Sequence, residues 1–264
     1  MSEKFANHFT FKKLLKLVYP SIIMMVFTSI YGVVDGVFVS NFAGTTPEQC
    51  ETAFAAVNLI IPVIMAFASF GFMIGTGGSA LISKLLGEGN EKRANGIFSL
   101  LIIVTVILGA VVTLVGEFTL RPIAVLLKAE GEILDDCVLY GTICLGGAIP
   151  FMLQNVFQSF FPVAGKHKLG LVFIVAAGLT NAALDAILIA GFKLGLAGAA
   201  AATVTGQVVG GIAPIIYFAA CRKGAIMQSK PCFSIKSILK TFMNGSSEMI
   251  TNLSLSVVNI IYND

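Results

Sequence analysis

Two aspartates lie inside long apolar runs, where charges are least expected. Asp185 stands in "LVFIVAAGLTNAALDAILIAGF", from Leu171 to Phe192, and is the only charged residue there. Asp35 occupies a similar place in "SIYGVVDGVFVS". An ionised side chain at the bilayer centre costs about 2.5 to 3.5 kcal/mol on insertion scales, so such residues usually face a bundle interior and mark a pathway or relay. The alternative is a protonated carboxyl that only holds two helices together.

Other oxygen-bearing side chains occur at useful spacings from these acids. Asn181 precedes Asp185 by four residues, so its amide lies on the same helix face and could supply a carbonyl oxygen. The next apolar run contains "AATVTGQ", in which Thr203 and Thr205 carry hydroxyl groups. A helical threonine often bonds its own backbone instead, so both interpretations stay open for the threonines.

The elements that position these residues are predicted to be transmembrane helices. Hydrophobic residues make up 56% of the 264 and charged residues 12%, with a mean hydropathy of +0.91, whereas soluble domains average about a quarter charged. Apolar runs long enough to cross about 30 Å of hydrocarbon predict an all-α integral membrane protein and not a barrel. The predicted spans are 14–40, 53–84, 97–119, 137–163, 169–191 and 197–220, with a truncated seventh from about 238. Pro150 and Pro162 bracket the stretch "PFMLQNVFQSFFP" within the fourth run and make local bending possible there.

The loops predict the orientation of these helices. Arg121, Lys128 and Lys193 fall on one side of the membrane, and the other 14 of the 17 Lys and Arg residues fall on the opposite side. The positive-inside rule therefore predicts a multi-pass protein of the cell membrane with a cytoplasmic N-terminus. The net charge of +3 reports this topology and predicts no nucleic-acid partner. The scattered cysteines and the two histidines show no zinc-ligand spacing.

The predicted spans place the two acids at one depth. At 1.5 Å per residue, Asp35 lies about 30 Å along its helix from Leu15, and Asp185 lies about 24 Å from Leu169. Both helices start from the cytoplasm, so both carboxylates are expected in the outer half of the membrane. Desolvation and mutual repulsion disfavour two anions there. A proton, or a Na⁺ ion held by oxygen ligands, would relieve that cost, and the residues do not choose between the two.

An internal repeat predicts the domain organisation. Residues 236–264 placed on 12–40 give six identical positions, and Asn259 then falls opposite Asp35. Because both segments start from the cytoplasm, the repeat is parallel. The predicted domains are a six-helix lobe at 1–221, a cytoplasmic linker at 222–236 and the truncated start of a second lobe at 237–264.

These features together resemble the multidrug and toxic compound extrusion (MATE) family of cation-coupled exporters. The resemblance rests on "GFMIGTGGSALISKLLGEGNEKRANGIFS", on the aspartate in "YGVVDGVFVS", on "NAALD" and on six-span parallel repeats, and it covers the whole chain. It implies half of a six-plus-six architecture whose second lobe is a required partner. It also implies an antiporter that needs no cofactor, takes H⁺ or Na⁺ as coupling ion and exports amphipathic organic compounds, cations foremost.

The resemblance also implies roles for particular residues. Asp35, Asn181, Asp185 and Thr203 match the family's cation site, a site for H⁺ or Na⁺, with Thr203 preferred over Thr205 by spacing. In "PFMLQNVFQSFFP", Asn155 and Gln158 share a helix face that the resemblance places beside the cation site and the drug cavity. Bonding between helices is the alternative for these two amides.

Three other functions are weighed against the antiporter. A flippase for lipid-linked precursors would be expected to line its cavity with basic residues, and the predicted spans contain none. A membrane enzyme has its best motif in "EGEILDD", but these acids have no histidine partner or second acidic cluster. A fragment that cannot transport alone is the third reading, since a single lobe is not expected to alternate its access.

Overall fold

The described part of the chain is almost entirely helical. The structure is a computed structural model that describes residues 11–220 and 226–263, and no strand occurs in these ranges. The predicted cytoplasmic N-terminal segment at 1–10 lies outside the described residues, as do the last residue of the predicted lobe, 221, and the beginning of the predicted linker at 222–225. The all-α membrane fold predicted from the sequence is confirmed.

Eight α-helices and one π-helical turn occur in the described ranges. They are α1 (Phe11–Phe42), α2 (Pro47–Gly87), α3 (Glu91–Leu126), α4 (Gly131–Gly146), α5 (Ala148–Val163), α6 (His167–Asp185), the π-turn (Ala186–Gly191), α7 (Gly195–Ala220) and α8 (Ile235–Asn263). Within these residues, five helices are long and apolar enough to cross a membrane, and the α4–α5 pair counts as a sixth, broken span. Helix α8, the predicted seventh span, is not among them, and it buries the polar residues Ser237, Thr241 and Ser256.

Side-chain caps and loop residues set several helix boundaries. Helix α2 begins at Pro47, where the missing N–H costs nothing, and the Thr46 hydroxyl accepts a hydrogen bond from the Gln49 N–H at 3.3 Å. Helix α3 begins after Asn90, whose side chain accepts from the Arg93 N–H at 3.3 Å. These caps satisfy backbone donors that a helix start leaves unpaired.

The fourth predicted span is broken by a bend at Gly147. Helices α4 and α5 meet there at 57°. The bend lies three residues before Pro150, one of the prolines that made local bending possible, and Pro150 in the first turn of α5 has no N–H to bond the Gly146 carbonyl across the break. A pair of glycines, Gly146 and Gly147, provides the break.

Helix α2 is central to the bundle because its glycines let other helices approach closely. A Cβ added at Gly71 would lie 2.9 Å from the Met152 backbone of α5. One added at Gly77 would overlap the Thr241 carbonyl oxygen of α8. In turn, a Cβ at Gly245 of α8 would overlap the Met73 carbonyl oxygen of α2. The two helices therefore cross with their backbones in direct contact.

A cluster of phenylalanines fills the end of the bundle on the side where most of the lysines and arginines are predicted to lie. Phe98 of α3 contacts the rings of Phe160 and Phe218 in edge-on geometry, with centroids 5.3 and 5.1 Å away. Phe157 stacks on Phe218 at 5.8 Å. All four rings are buried, so this aromatic core joins α3, α5 and α7.

The chain segment before α8 is bonded to the first turns of α3. The Met227 N–H donates to the Asn95 side chain and the Ser229 N–H donates to the Ser99 hydroxyl, both at 2.9 Å. The Cys232 N–H donates to the Gly96 carbonyl at 3.1 Å. These bonds fix where α8 starts relative to α2 and α3.

Candidate cation site

Three helices bring the predicted site residues together inside the bundle. The Asn181 Nδ2 of α6 donates to the Thr203 Oγ1 of α7 at 3.4 Å. The Thr203 hydroxyl donates in turn to the Asp35 Oδ1 of α1, also at 3.4 Å. Both bonds are long, so they hold the side chains loosely and leave room for adjustment.

Asp185 completes this cluster without a hydrogen-bond donor of its own. Its side chain is fully buried and faces Asp35. In the described part of the chain, neither carboxylate oxygen of Asp185 has a hydrogen-bond partner, and the same holds for the Asn181 Oδ1. Three buried oxygens are thus left without a hydrogen-bond partner, which is costly unless a donor or a cation reaches them.

Small residues allow this close arrangement. A Cβ at Gly206 of α7 would lie 3.0 Å from the Asn181 Cβ and 2.9 Å from the Ala177 carbonyl oxygen. A Cβ at Gly178 of α6 would lie 3.1 Å from the Tyr31 ring of α1. Without side chains at these two glycines, α6 can contact both of the helices that carry its partners.

The backbone changes its helical form immediately after Asp185. The next six residues, Ala186–Gly191, form a π-helical turn, closed by a 2.8 Å bond from the Phe192 N–H to the Ile187 carbonyl. Single π-turns inside α-helices occur frequently at functional sites. The sequence gives no signal for this turn.

The structure adds residues that the sequence did not single out. The Tyr140 side chain of α4 lies near Thr203 and near Cys144, one turn further along α4, and Asp35 is close to both. Tyr31, one turn before Asp35, also lies within its reach. One feature of the sequence could have pointed to these residues: Tyr140 and Cys144 are four positions apart, which places both on one face of α4.

The structure also separates the two candidate threonines. The Thr205 hydroxyl donates to the Ala201 carbonyl of its own helix at 2.7 Å and is exposed. Thr203 is the one that contacts Asp35. The spacing preference for Thr203 therefore agrees with the geometry.

Asn155 and Gln158, the two amides predicted for the drug cavity, take no part in the hydrogen bonds that join Asn181, Thr203 and Asp35. Asn155 donates to the Phe151 carbonyl of its own helix at 3.1 Å, and its backbone lies against Gly75 of α2. Gln158 is half-buried. Among the described residues, neither bonds to the acidic pair. The neighbouring Gln154 faces Tyr31 and Gly210 instead, and its Oε1 is buried without a partner.

The ligand types of the cluster suit a proton or a hard cation. They are carboxylate, amide and hydroxyl oxygens, from Asp35, Asp185, Asn181 and Thr203. No group of three or more His, Cys, Asp or Glu side chains forms a metal cluster within the described ranges. The unpaired oxygens at Asp185 and Asn181 are the atoms that a bound cation would satisfy.

Comparison with known proteins identifies the family. A family model described as MatE matches residues 20–187. The chain belongs to the MatE family. The predicted resemblance to MATE transporters is thereby confirmed, and its matched region contains both acids of the candidate site and Asn181.

Curated MATE relatives are named for export. The chain is 28% identical over 262 residues to the multidrug export protein MepA of Staphylococcus saprophyticus, covering 98% of this chain and 56% of that protein. It is 26% identical over 260 residues to MepA of Staphylococcus haemolyticus, covering 93% and 56%. The chain thus spans about half the length of the curated relatives it matches.

Solved MATE structures share the fold. A MOP superfamily transporter from Pyrococcus furiosus superposes with a TM-score of 0.83 at 24% identity, over 92% of this chain and 53% of that one. A MATE family transporter in the inward-facing conformation gives a TM-score of 0.80 at 22% identity, over 88% and 52%.

Proposed function

We propose that this chain acts in a cation-coupled antiporter that exports amphipathic organic compounds, mainly organic cations, in exchange for H⁺ or Na⁺. One observation carries the proposal: the half-buried Asp35 and the buried Asp185 form a cluster with Asn181 and Thr203, in which the Asp185 carboxylate oxygens and the Asn181 Oδ1 lack donors. The relatives' names as multidrug export proteins support the same function, and MATE transporters are not enzymes.

The coupling step follows from electrostatics. With both acids ionised, two anions face each other in an apolar bundle, and no donor reaches Asp185. A proton shared by the pair, or a Na⁺ ion held by the four side chains, removes the repulsion and satisfies the unpaired oxygens. Cation binding then lets α1 bend and reshapes the cavity, so that the compound leaves outward. When the cation is released to the cytoplasm, the repulsion returns and the cycle restarts.

The architecture of the transporter is part of the proposal. A second lobe is the partner that alternating access requires, and the segment 237–264 is the proposed beginning of that lobe, after the linker at 222–236. The location is the cell membrane, with the N-terminus in the cytoplasm. The length of the MepA relatives, about twice the part matched here, supports a two-lobe transporter.

Efflux of ethidium tests the coupling role of the acids. Cells expressing the full-length protein that contains this chain are loaded with ethidium, and efflux is compared with Asp35→Asn and Asp185→Asn at equal membrane expression. Each variant should lose most of its efflux, since an amide cannot exchange a proton or neutralise a cation. The wild-type activity should disappear when the proton gradient is collapsed or when Na⁺ is removed, which identifies the ion.

The matched control is Asp135→Asn, the same chemical change at an exposed acid near the start of α4. Its efflux should equal the wild type. Full efflux in both site variants would reduce the acids to packing groups. No efflux from the full-length wild type would instead favour the flippase reading.

Cation binding at the site can be measured independently of transport. Purified protein is followed by infrared difference spectroscopy while H⁺ or Na⁺ is varied. Wild type should show a carboxyl band that responds to one of these cations, and Asp185→Asn should lose it. An unchanged band in Asp185→Asn would exclude this aspartate as the binding group, whatever the efflux result.

A further inference from the structure

A basic cavity lies where α2 ends and where α3 and α8 begin. Its volume is about 270 Å³. Its charged lining consists of Lys84 and Glu88 near the end of α2, Arg93 in the first turn of α3, and Lys236 and Lys240 in α8. We call it the basic cavity. It lies on the membrane side that carries most of the lysines and arginines, far along α2 from the end near the acidic pair.

The charge of this cavity is strongly positive. Four cationic side chains meet a single acid, Glu88, which pairs with Lys84 at 3.9 Å. Both partners of that pair are more than half exposed, so it binds weakly and neutralises at most one charge. Arg93, Lys236 and Lys240 remain available, and the N-terminal ends of α3 and α8 add their positive dipole ends.

The same cavity has an apolar wall. Leu85 and Ile97 are buried and Leu81 is half-buried, and all three line the cavity beside the cationic groups. A small inorganic anion would contact the cationic side chains but not the apolar wall. A ligand with a phosphate group joined to hydrocarbon would use both.

We propose that the basic cavity binds the phosphate headgroup of an anionic phospholipid. Its position fits that ligand, because the apolar runs of α2 and α3 end here and basic pockets between membrane helices on the cytoplasmic side suit such headgroups. The bound lipid contacts α2 and α3 together with α8, so it holds the start of α8 against the rest of the bundle. This site is separate from the cation site and does not depend on the transport reaction.

Native mass spectrometry of the purified protein in detergent measures this binding. Phosphatidylglycerol is titrated and its apparent affinity compared between wild type and the double variant Arg93→Gln, Lys240→Gln. At the ordinary contribution of one basic side chain near a membrane surface, losing two should weaken binding about 30-fold. The single variant Glu88→Gln should strengthen binding about fivefold, because Glu88 is the one acid among the described residues that line the cavity.

The matched control removes two charges from the same membrane side but outside the cavity. Lys92→Gln combined with Lys230→Gln should leave the affinity unchanged, since neither side chain lines the cavity and both are exposed. Equal losses in the two double variants would overturn the site, because only general surface charge would then matter. Equal thermal unfolding midpoints without lipid show that the variants are folded.

Two further binding measurements test whether the ligand is an anionic lipid, a lipid of any headgroup or a soluble phosphate. Phosphatidylcholine at the same concentration should bind at least tenfold more weakly than phosphatidylglycerol. Inorganic phosphate and glycerol 3-phosphate, at the same phosphate concentration, should not compete with the lipid. Equal binding of phosphatidylcholine, or full competition by the soluble phosphates, would overturn the assignment to an anionic lipid.

Discussion

Asp185 is fully buried, and in the described part of the chain no N–H or O–H group reaches its carboxylate oxygens. Asp35, by contrast, receives a hydrogen bond from Thr203. The two acids are therefore unequal. Asp185 has the greater need of a proton or cation, and Asp35 is the one already held by the protein. The proposed exchange at the pair draws on this difference.

Tyr140→Phe tests whether the residues found only in the structure belong to the site. The variant removes the hydroxyl that lies near Thr203 and keeps the ring that packs in the core. Removing this polar group should weaken the apparent affinity for the coupling cation about two- to tenfold, the size of one polar contact, at nearly unchanged stability. The measurement is ethidium efflux as a function of cation concentration.

Tyr262→Phe is the control for this variant, because Tyr262 lies exposed on α8. It should match the wild type. An unchanged cation dependence in Tyr140→Phe would remove this hydroxyl from the site and leave only a packing role.

The acids could be predicted from the sequence, and Tyr140 could not. A charge in an apolar run is rare, so Asp35 and Asp185 are conspicuous without any structure. Tyrosines and cysteines are ordinary in such runs, and the direction of the Tyr140 side chain depends on how α4 packs against α7. Spacing favoured Thr203, but only the packing of α7 on α1 shows why Thr205 turns to its own backbone.

At the scale of single elements, the crossing of α2 and α8 depends on two glycines. Gly77→Ala would push its methyl group into the Thr241 carbonyl oxygen, and a backbone atom cannot turn away as a side chain can. Overpacking of this kind costs about 1 to 3 kcal/mol. The thermal unfolding midpoint of the purified protein should fall accordingly.

Gly87→Ala is the matched control, on the same helix but with nothing within 4 Å of the added Cβ. It should leave the midpoint unchanged or raise it slightly, since alanine favours the helix over glycine. If the two substitutions lowered the midpoint equally, α8 would not contact α2 at Gly77.

The predicted bounds of the first six spans lie within seven residues of the observed helix ends, because charges and loop residues mark those ends. The exact place of the bend was not predictable. Pro150 made bending possible in this region, and the bend lies three residues earlier, where Gly147 has no side chain. A Cβ at Gly147 would lie 2.7 Å from the Val204 side chain, a contact that no sequence pattern reveals.

For the whole molecule, the distribution of basic residues predicts the orientation. Cys232 is exposed in the segment before α8, and the other described cysteines, Cys50, Cys137 and Cys144, are buried. A maleimide that cannot cross membranes should label Cys232 only after the cells are permeabilised. Cys221, outside the described residues, is replaced by serine for this test.

The control places one cysteine on the opposite side. Lys193→Cys, in the loop between the π-turn and α7, should be labelled in intact cells once Cys232 and Cys221 are serines. The reverse pattern of labelling would invert the proposed orientation and move the basic cavity to the outer surface.

The helical class and the first six spans could be predicted because they depend on local composition, whereas α8, the predicted seventh span, is not among the helices apolar enough to cross a membrane. The arrangement of the helices could not, because nearly every span is apolar all round and any face could be buried. The central place of α2 follows from its glycines, whose number is visible in the sequence but whose partners are not.

The π-turn after Asp185 has a consequence for movement. A π-turn holds one residue more than an α-turn, and each residue of an α-helix rotates the chain by about 100°. The turn is the last part of the helix that carries Asp185, and only residues 192–194 separate it from α7. Helices α1 and α7, which carry Asp35 and Thr203, both contact this turn. A change of Ala186–Gly191 to α geometry would therefore shift the direction in which the chain enters α7, while Asp185 kept its place.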